Sequence, residues 1–465
     1  MWLLRAGLPM VAVGALLTAC GAAPSREEVE ADVDQAVESE TPATHDRWGT
    51  QSVAGAVQVG WIDTFNDPAL TKLIEEAQAN NRDLAAAAAN VDRAWALARQ
   101  AGAALAPNIG LSTDVGVTGR ADSSSSTTNL SLGLQVSWEV DLWGRLRAGE
   151  RGAAAGAQAI EADYRFAQYS LAAATAKAYF TAIEANLQTN IARETVEILE
   201  ETQRIVDVKH DNGMASAQDV SLTRSDLASA RERLTAVGGS YRDALRALEV
   251  LLGRYPGAEL DVRDSLPSVP SPPPAGVPSE LLERRPDIVA AERRVAAAFN
   301  ATAQAKAARL PTVGLTGDLG GASDSLSDLL DPGNVAWRLG RSMLAPIFDG
   351  GTRREAVEIA TAEQEQALAA YGQAALNAFS ELETNLDQGV VVAQRAVDLE
   401  EAAREAEKAF RIARLRYEEG EEDLLSVLTI QQRVISTKSA LSSVERLLLE
   451  QRINLNLALG GSWES

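Results

Sequence analysis

Chemistry needs groups that attack, ligate or titrate, and this sequence holds few placed to do so. Its single cysteine, Cys20, closes the run Leu17-Thr18-Ala19-Cys20. Arg5 and a short apolar stretch from Leu8 to Leu17 precede it, in the order of an export signal too brief to span a bilayer. Small residues ahead of the cysteine suit a peptidase that leaves the thiol at a new N-terminus, where it can be acylated. With one thiol no intramolecular disulfide forms, and the two histidines, His45 and His210, stand far apart. No HExxH, G-x-S-x-G or Walker A pattern occurs. The 65 acidic residues therefore read as solvated helix faces rather than paired acids. Neither catalysis nor a metal or cofactor is expected.

The groups that remain must be positioned by long regular elements. The chain has 465 residues, a formal net charge of −22 and only 5% aromatics. That charge repels phosphate, so nucleic acid is not an expected partner. No later stretch approaches roughly 18 consecutive apolar residues, so any membrane crossing would have to be a closed β-barrel.

Internal similarity sets the organisation. Asp83 and Asp287 stand 204 apart, as do Pro107 and Pro311. Gly213 and Gly420, Val220 and Val427, and Gly253 and Gly460 stand 207 apart. Two copies of one unit are expected: repeat 1 over 67–253 and repeat 2 over 279–460. Between them, 254–278 is a proline-rich, stiff connector. A signal segment (1–19), an extended lipid-anchored segment (20–66) and a C-terminal tail (461–465) complete the chain.

Each copy reads helix, strand, strand, long helix, helix. Strands are expected at 107–119 and 130–142, where Leu130, Leu132, Leu134, Val136, Trp138, Val140 and Leu142 alternate with small or polar residues. That period of two puts one face in an apolar medium and the other in water. Gly110, Ser112, Gln135 and Ser137 belong to the watery face, and a polar loop around 123–126 joins the two strands. The second copy repeats the pattern more weakly at 311–321 and 334–348, with Arg341 interrupting the apolar face. Pro-free stretches predict long helices over 144–210 and 351–419, each on the order of 100 Å. Shorter helices are expected over 82–105, 216–253, 286–309 and 424–459. Val427, Val434, Leu441, Leu448 and Leu455 form a heptad seam, matched by Val220, Leu227, Leu234, Tyr241 and Leu248. The two short helices of a copy sum to about the length of its long one, so stacked end to end they can line up beside it.

Four strands cannot close on themselves, and an open sheet edge cannot face lipid. The chain must oligomerise, and twelve strands from three copies are the smallest multiple beyond eight that leaves an aqueous lumen.

With these elements in place, the chain resembles the outer-membrane factor family, the TolC-like channels, and especially its lipoprotein branch serving resistance-nodulation-division pumps. The resemblance rests on Leu281-Leu282-Glu283-Arg284-Arg285-Pro286-Asp287, Asp141-Leu142-Trp143-Gly144-Arg145, Ile347-Phe348-Asp349-Gly350-Gly351, Arg416-Tyr417 with Gly420, and Leu459-Gly460-Gly461-Ser462-Trp463. Residues 17–20 look like a bacterial lipobox, and Gly21 after Cys20 resembles outer-membrane sorting. The family implies a mainly α homotrimer with membrane β-structure: a 12-stranded β-barrel continuous with a long periplasmic α-helical barrel.

It also implies partners: a periplasmic membrane-fusion adaptor docked on the helix tips, an inner-membrane pump and outer-membrane lipid. Positions matching the adaptor-contacting tips are Asn212, Gly213, Ser216, Ala217 and Asp219, then Tyr417, Glu419, Gly420, Asp423 and Leu424. Family channels often carry lumenal aspartates just after the second turn. Ser426 and Thr429 stand there instead, so Glu421, Glu422 and Asp423 are the candidates for an acidic constriction. The expected function is an efflux exit channel. A type I protein-secretion channel or a non-conducting lipid-anchored coiled-coil scaffold are the alternatives.

Overall fold

The computed structural model describes residues 24–43, 47–50, 52–53, 55–57, 60–119, 121, 126–329 and 331–462. Cys20, Trp463 and most of the loop around 123–126 lie outside the described residues. The helices are α1 (Arg26–Glu40), α2 (Pro68–Asn80), α3 (Arg82–Ala103), α4 (Arg145–Asp211), α5 (Ala217–Leu251), α6 (Pro278–Arg284), α7 (Pro286–Ala307), α8 (Thr352–Glu419) and α9 (Leu424–Ala458). The strands are β1 (Asn108–Gly119), β2 (Ser126–Val140), β3 (Thr312–Ser323) and β4 (Val335–Leu344). The order helix, strand, strand, long helix, helix occurs on both sides of the proline-rich segment. Two compact units divide these residues.

The first unit comprises Met1–Pro42, Asn90–Glu161 and Ala290–Ala374. It contains one antiparallel sheet in chain order, β1-β2-β3-β4. The register sorts side chains by chemistry. One face carries the rows Leu111–Leu134–Leu319–Trp337 and Ile109–Val136–Gly317–Leu339, and the other carries Gly110–Gln135–Asp318–Arg338. At Gly320 an added Cβ would lie 2.6 Å from the Gly133 Cα, so the paired glycines let these two backbones approach.

The helices that follow the strands are started by aspartates. Asp141 accepts from the N–H groups of Leu146 (3.1 Å) and Arg147 (3.0 Å). Asp349 accepts from Gly351 (3.1 Å) and Arg353 (3.3 Å). These carboxylates satisfy orphan donors at the starts of α4 and α8. Trp143 donates to the Pro311 carbonyl at 2.6 Å, and Trp138 to that of Leu105 at 2.9 Å. The strand-exit sequence motifs thus have a local structural cause.

Two expectations need correction. Residues 20–66 are not extended throughout, because α1 occupies Arg26–Glu40. Ser25 and Glu28 close a capping box at 3.2 and 2.7 Å, and Val29 and Val33 are buried. Strand β4 stops at Leu344 rather than running to 348. Pro346 has no N–H to continue the ladder, and Ile347 and Phe348 are left outside it, fully exposed.

The second unit comprises Ala43–Ala89, Ala162–Val289 and Ala375–Ser465. Its core joins the 3₁₀ turn Trp61–Phe65, α2, α4, α5 and α9 through Trp61, Phe65, Ile74, Tyr179, Phe180, Leu248 and Ile453. Alanines 172, 173 and 176 lie buried in it, small enough for close helix approach. The heptad positions Val220, Leu227, Leu248, Val427, Val434, Leu448 and Leu455 are buried, while Leu234, Tyr241 and Leu441 are half-buried. Buried Glu249 accepts from the N–H groups of Ala258 (2.7 Å), Glu259 (2.8 Å) and Leu260 (3.1 Å), fixing the start of the proline-rich segment. Buried Arg285 pairs with Asp287 and Glu381, both at 2.8 Å, and donates to the Ala458 carbonyl at 3.0 Å. The Arg285-Pro286-Asp287 motif is therefore a structural clamp.

Candidate functional site

Two features can do work: the pair of glycine turns in the second unit and the two-faced sheet in the first. Helix α4 ends at Asp211, where Gly213 takes φ 76°. The Met214 N–H reaches back to the Lys209 carbonyl at 2.8 Å. Helix α8 ends the same way: Gly420 takes φ 82° and the Glu421 N–H bonds the Arg416 carbonyl at 2.8 Å. Both are glycine-centred helix terminations, a conformation that costs a side-chain-bearing residue about 1–2 kcal/mol. Helix α5 starts with a capping box, Ser216 accepting from the Asp219 N–H at 3.1 Å and Asp219 from the Ser216 N–H at 2.9 Å. Helix α9 starts on Asp423, which accepts from the Ser426 N–H at 2.8 Å.

Lys209 joins the turns. Its ammonium donates to the Tyr417 carbonyl at 2.8 Å and lies 3.8 Å from the centre of the Tyr417 ring. Tyr417 is buried with Val206, Val220, Ala413, Leu424 and Val427. Burial, and then the charge of Asp219, push its hydroxyl above the ordinary tyrosine value. Nothing local in the sequence signals this pairing. A basic residue in the last turn of α4 suggests only a favourable helix dipole.

The candidate tip residues separate by environment. Asn212, Gly213, Ser216, Ala217, Glu419, Gly420 and Asp423 are exposed, and Asp219 is partly so. Tyr417 and Leu424 are buried beneath the turn and support it. Among the constriction candidates, Glu421 is exposed, Glu422 half-buried, and Asp423 engaged in its cap. The Thr429 hydroxyl donates to the Leu425 carbonyl at 2.7 Å, and Ser426 is half-buried. Thr429 also borders a groove of about 810 Å³ between α4, α5 and α9, together with Asp226, Arg233 and Gln431. Gln431 is 4% exposed and its amide has no partner there, while burial pushes the Asp226 carboxyl up. Among the described residues no group of three or more His, Cys, Asp or Glu residues could hold a metal ion.

The sheet is the second feature. Its apolar face is uncovered in the single chain: Ile109 is 68% exposed, Val115 74%, Trp337 74% and Leu339 78%. Both outer strands, β1 and β4, keep an unpaired edge. The apolar run of β2 from Leu130 to Val140 rises about 33 Å, or about 24 Å at a 45° tilt, the height of a lipid-facing band. No helix among the described residues is long and apolar enough to cross a membrane.

Comparison with known proteins follows this geometry. The family described as outer membrane efflux protein matches residues 73–254 and 277–461. The pyoverdine export outer membrane protein OpmQ of Pseudomonas aeruginosa is 31% identical over 470 residues, covering 98% of this chain and 97% of its own. The solved outer-membrane channel OprN is 30% identical with a TM-score of 0.82, over 91% of this chain and 98% of that one. The Campylobacter jejuni CmeC outer membrane channel is 25% identical with a TM-score of 0.85, over 91% of this chain and 93% of that one.

Proposed function

The chain belongs to the outer membrane efflux protein family, and we propose that three copies of it form the exit duct of a tripartite efflux pump. Its place is the Gram-negative outer membrane, with helices extending into the periplasm. The observation that carries the proposal is the four-stranded sheet with one apolar face and two unpaired edges. An open edge in lipid leaves a row of peptide groups without partners, at several kcal/mol each, so the sheet needs neighbours. Joining β4 of one copy to β1 of the next closes a ring of twelve strands. The face bearing Ser112, Gln135 and Asp318 then lines water.

In this reading the chain contains two copies of one structural unit, and α4, α5, α8 and α9 continue the duct as a helical barrel. Acylated Cys20 tethers the N-terminus to the membrane. The exposed turn residues, from Asn212 to Asp219 and from Glu419 to Asp423, meet a periplasmic adaptor that brings an inner-membrane resistance-nodulation-division pump. The duct is passive, and the pump supplies the work. Opening is a hinge-like splay of the helices at the turns, against the contact of Lys209 with Tyr417. Disulfides engineered between neighbouring tips should block export until they are reduced.

Single-channel recording in a planar bilayer tests the duct directly. Purified protein should run as a three-chain species and give stable conductance steps. A single-chain species without conductance would remove the reading and leave a lipid-anchored scaffold.

A further inference from the structure

The register of the sheet isolates one residue. Along the paired positions of the apolar face, every residue is apolar, glycine or hydroxyl-bearing except Arg341. Its row is Trp138–Leu315–Arg341, with Val140–Val313–Met343 on the helix side and Val136–Gly317–Leu339 on the other. Arg341 is exposed, and its guanidinium makes no hydrogen bond or ion pair with any described residue. The charged neighbours do not compensate it. Glu139 falls on the opposite face and is held by Arg145 at 2.8 Å, and Asp318 lies on the polar face opposite Arg338.

Depth decides what this charge can do. Arg341 is three residues from the end of β4 at Leu344, about 10 Å along the strand and about 7 Å in height at a 45° tilt. An arginine at mid-bilayer is costly, but near the interface the cost falls to about 0–1 kcal/mol, because the long side chain reaches the headgroup layer. Trp138 shares the row, its indole N–H donating to the Leu105 carbonyl at 2.9 Å on the helix side. An amphipathic indole whose polar end is turned to the helix side suits the interfacial level of a membrane protein.

We propose that Arg341 is a lipid-headgroup site: its guanidinium binds the phosphate of a phospholipid in the periplasmic leaflet, one site per copy. The inference rests on the barrel reading above, which turns this face toward lipid. A planar fork of N–H donors matches a phosphate diester with two parallel charge-assisted hydrogen bonds. The apolar flanks Leu339 and Met343, both exposed, offer surface to the upper acyl chains. Arg338 provides the internal contrast, because it has the same charge on the same strand but belongs to the water-facing side.

The test is native mass spectrometry of the full-length, detergent-solubilised assembly titrated with phosphatidylglycerol. The unsubstituted protein should retain up to one tightly held lipid per chain. Arg341→Gln should lower that retention by about tenfold, the loss of a strong charge-assisted pair. Arg341→Lys should keep most of it, and Arg338→Gln should leave it unchanged. Equal retention by Arg341→Gln and the unsubstituted protein would overturn the inference. So would a loss of assembly stability in lipid-free detergent with unchanged retention, which would mean an acidic partner on a neighbouring copy. Bilayer conductance, measured in parallel, separates this inference from its premise. A conducting protein with unaltered retention refutes only the lipid site, whereas a protein that never conducts refutes the barrel.

Discussion

Lys209 is held twice by one partner, through the Tyr417 carbonyl and the Tyr417 ring, and it gives the two turns a polar tie beside their shared apolar packing. Lys209→Met keeps the length of the side chain and removes both attractions, worth roughly 1–2 kcal/mol. The variant should spend a larger fraction of time open in single-channel records, with conductance per step unchanged. Glu249 governs a different property. Its burial raises the carboxyl pKa, but three backbone N–H groups and the charge of Arg254 outweigh that, leaving it below the ordinary glutamate value. A lowered folded pKa means stability that is whole above the unfolded pKa and fades as pH falls through the folded one. Glu249→Gln should cost about 1–3 kcal/mol at neutral pH. It should also flatten the dependence of the unfolding midpoint on pH in the acidic range, read by circular dichroism. The role of Glu249 was not legible in the sequence, since its partners are backbone groups beyond the end of its helix, and for Arg285 the distant Glu381 carboxylate and Ala458 carbonyl are brought near only by the fold.

Elements were more readable than contacts, and unevenly so. Strand β2 announces itself because six apolar residues alternate without a break from Leu130 to Val140, although the same period carried on to Leu142 overshoots its end. Its first four residues, Ser126 to Asn129, carry no such signal, and they join the sheet by pairing with Gly116 to Gly119. Strand β3 is faint because Gly317 and Gly321 occupy apolar-face positions where packing residues would otherwise show the period. Helix α1 is poorly signalled although Ser25 and Glu28 spell a capping box, because that two-residue cue stands in an acidic stretch with few large apolar residues. The glycine turns were legible for a physical reason, as both φ values are positive. Gly420→Val should therefore destabilise the turn by about 1–2 kcal/mol. The measurable result is faster hydrogen exchange over 416–426, with the exchange of β1 and β2 unaltered.

For the whole molecule, the four-stranded sheet with one apolar face was legible from the alternating residues, and the proposed ring rests on strand count and face chemistry, which do not identify any constriction. Four of the acidic and hydroxyl candidates crowd 421–426, and their environments differ only in the fold: exposed Glu421, half-buried Glu422 and Ser426, capping Asp423. Threefold copies of the acids around one axis would attract cations. The combined variant Glu421→Gln, Glu422→Gln, Asp423→Asn removes the charge while asparagine preserves the cap on α9. Its reversal potential in a potassium chloride gradient should move toward zero, with a cation preference reduced several-fold. An unmoved reversal potential would place selectivity elsewhere along the duct.

The even number of strands has its own consequence. Because β1 and β4 point in opposite directions, a junction between two chains in the proposed ring would repeat the antiparallel ladder found within each one. The backbone at that junction carries no password. A cell making two sister proteins of this kind would have no barrier in the ladder itself to building mixed rings. Telling kin from self must then fall to side chains, above all those along the helices, and divergence between sister proteins should concentrate there.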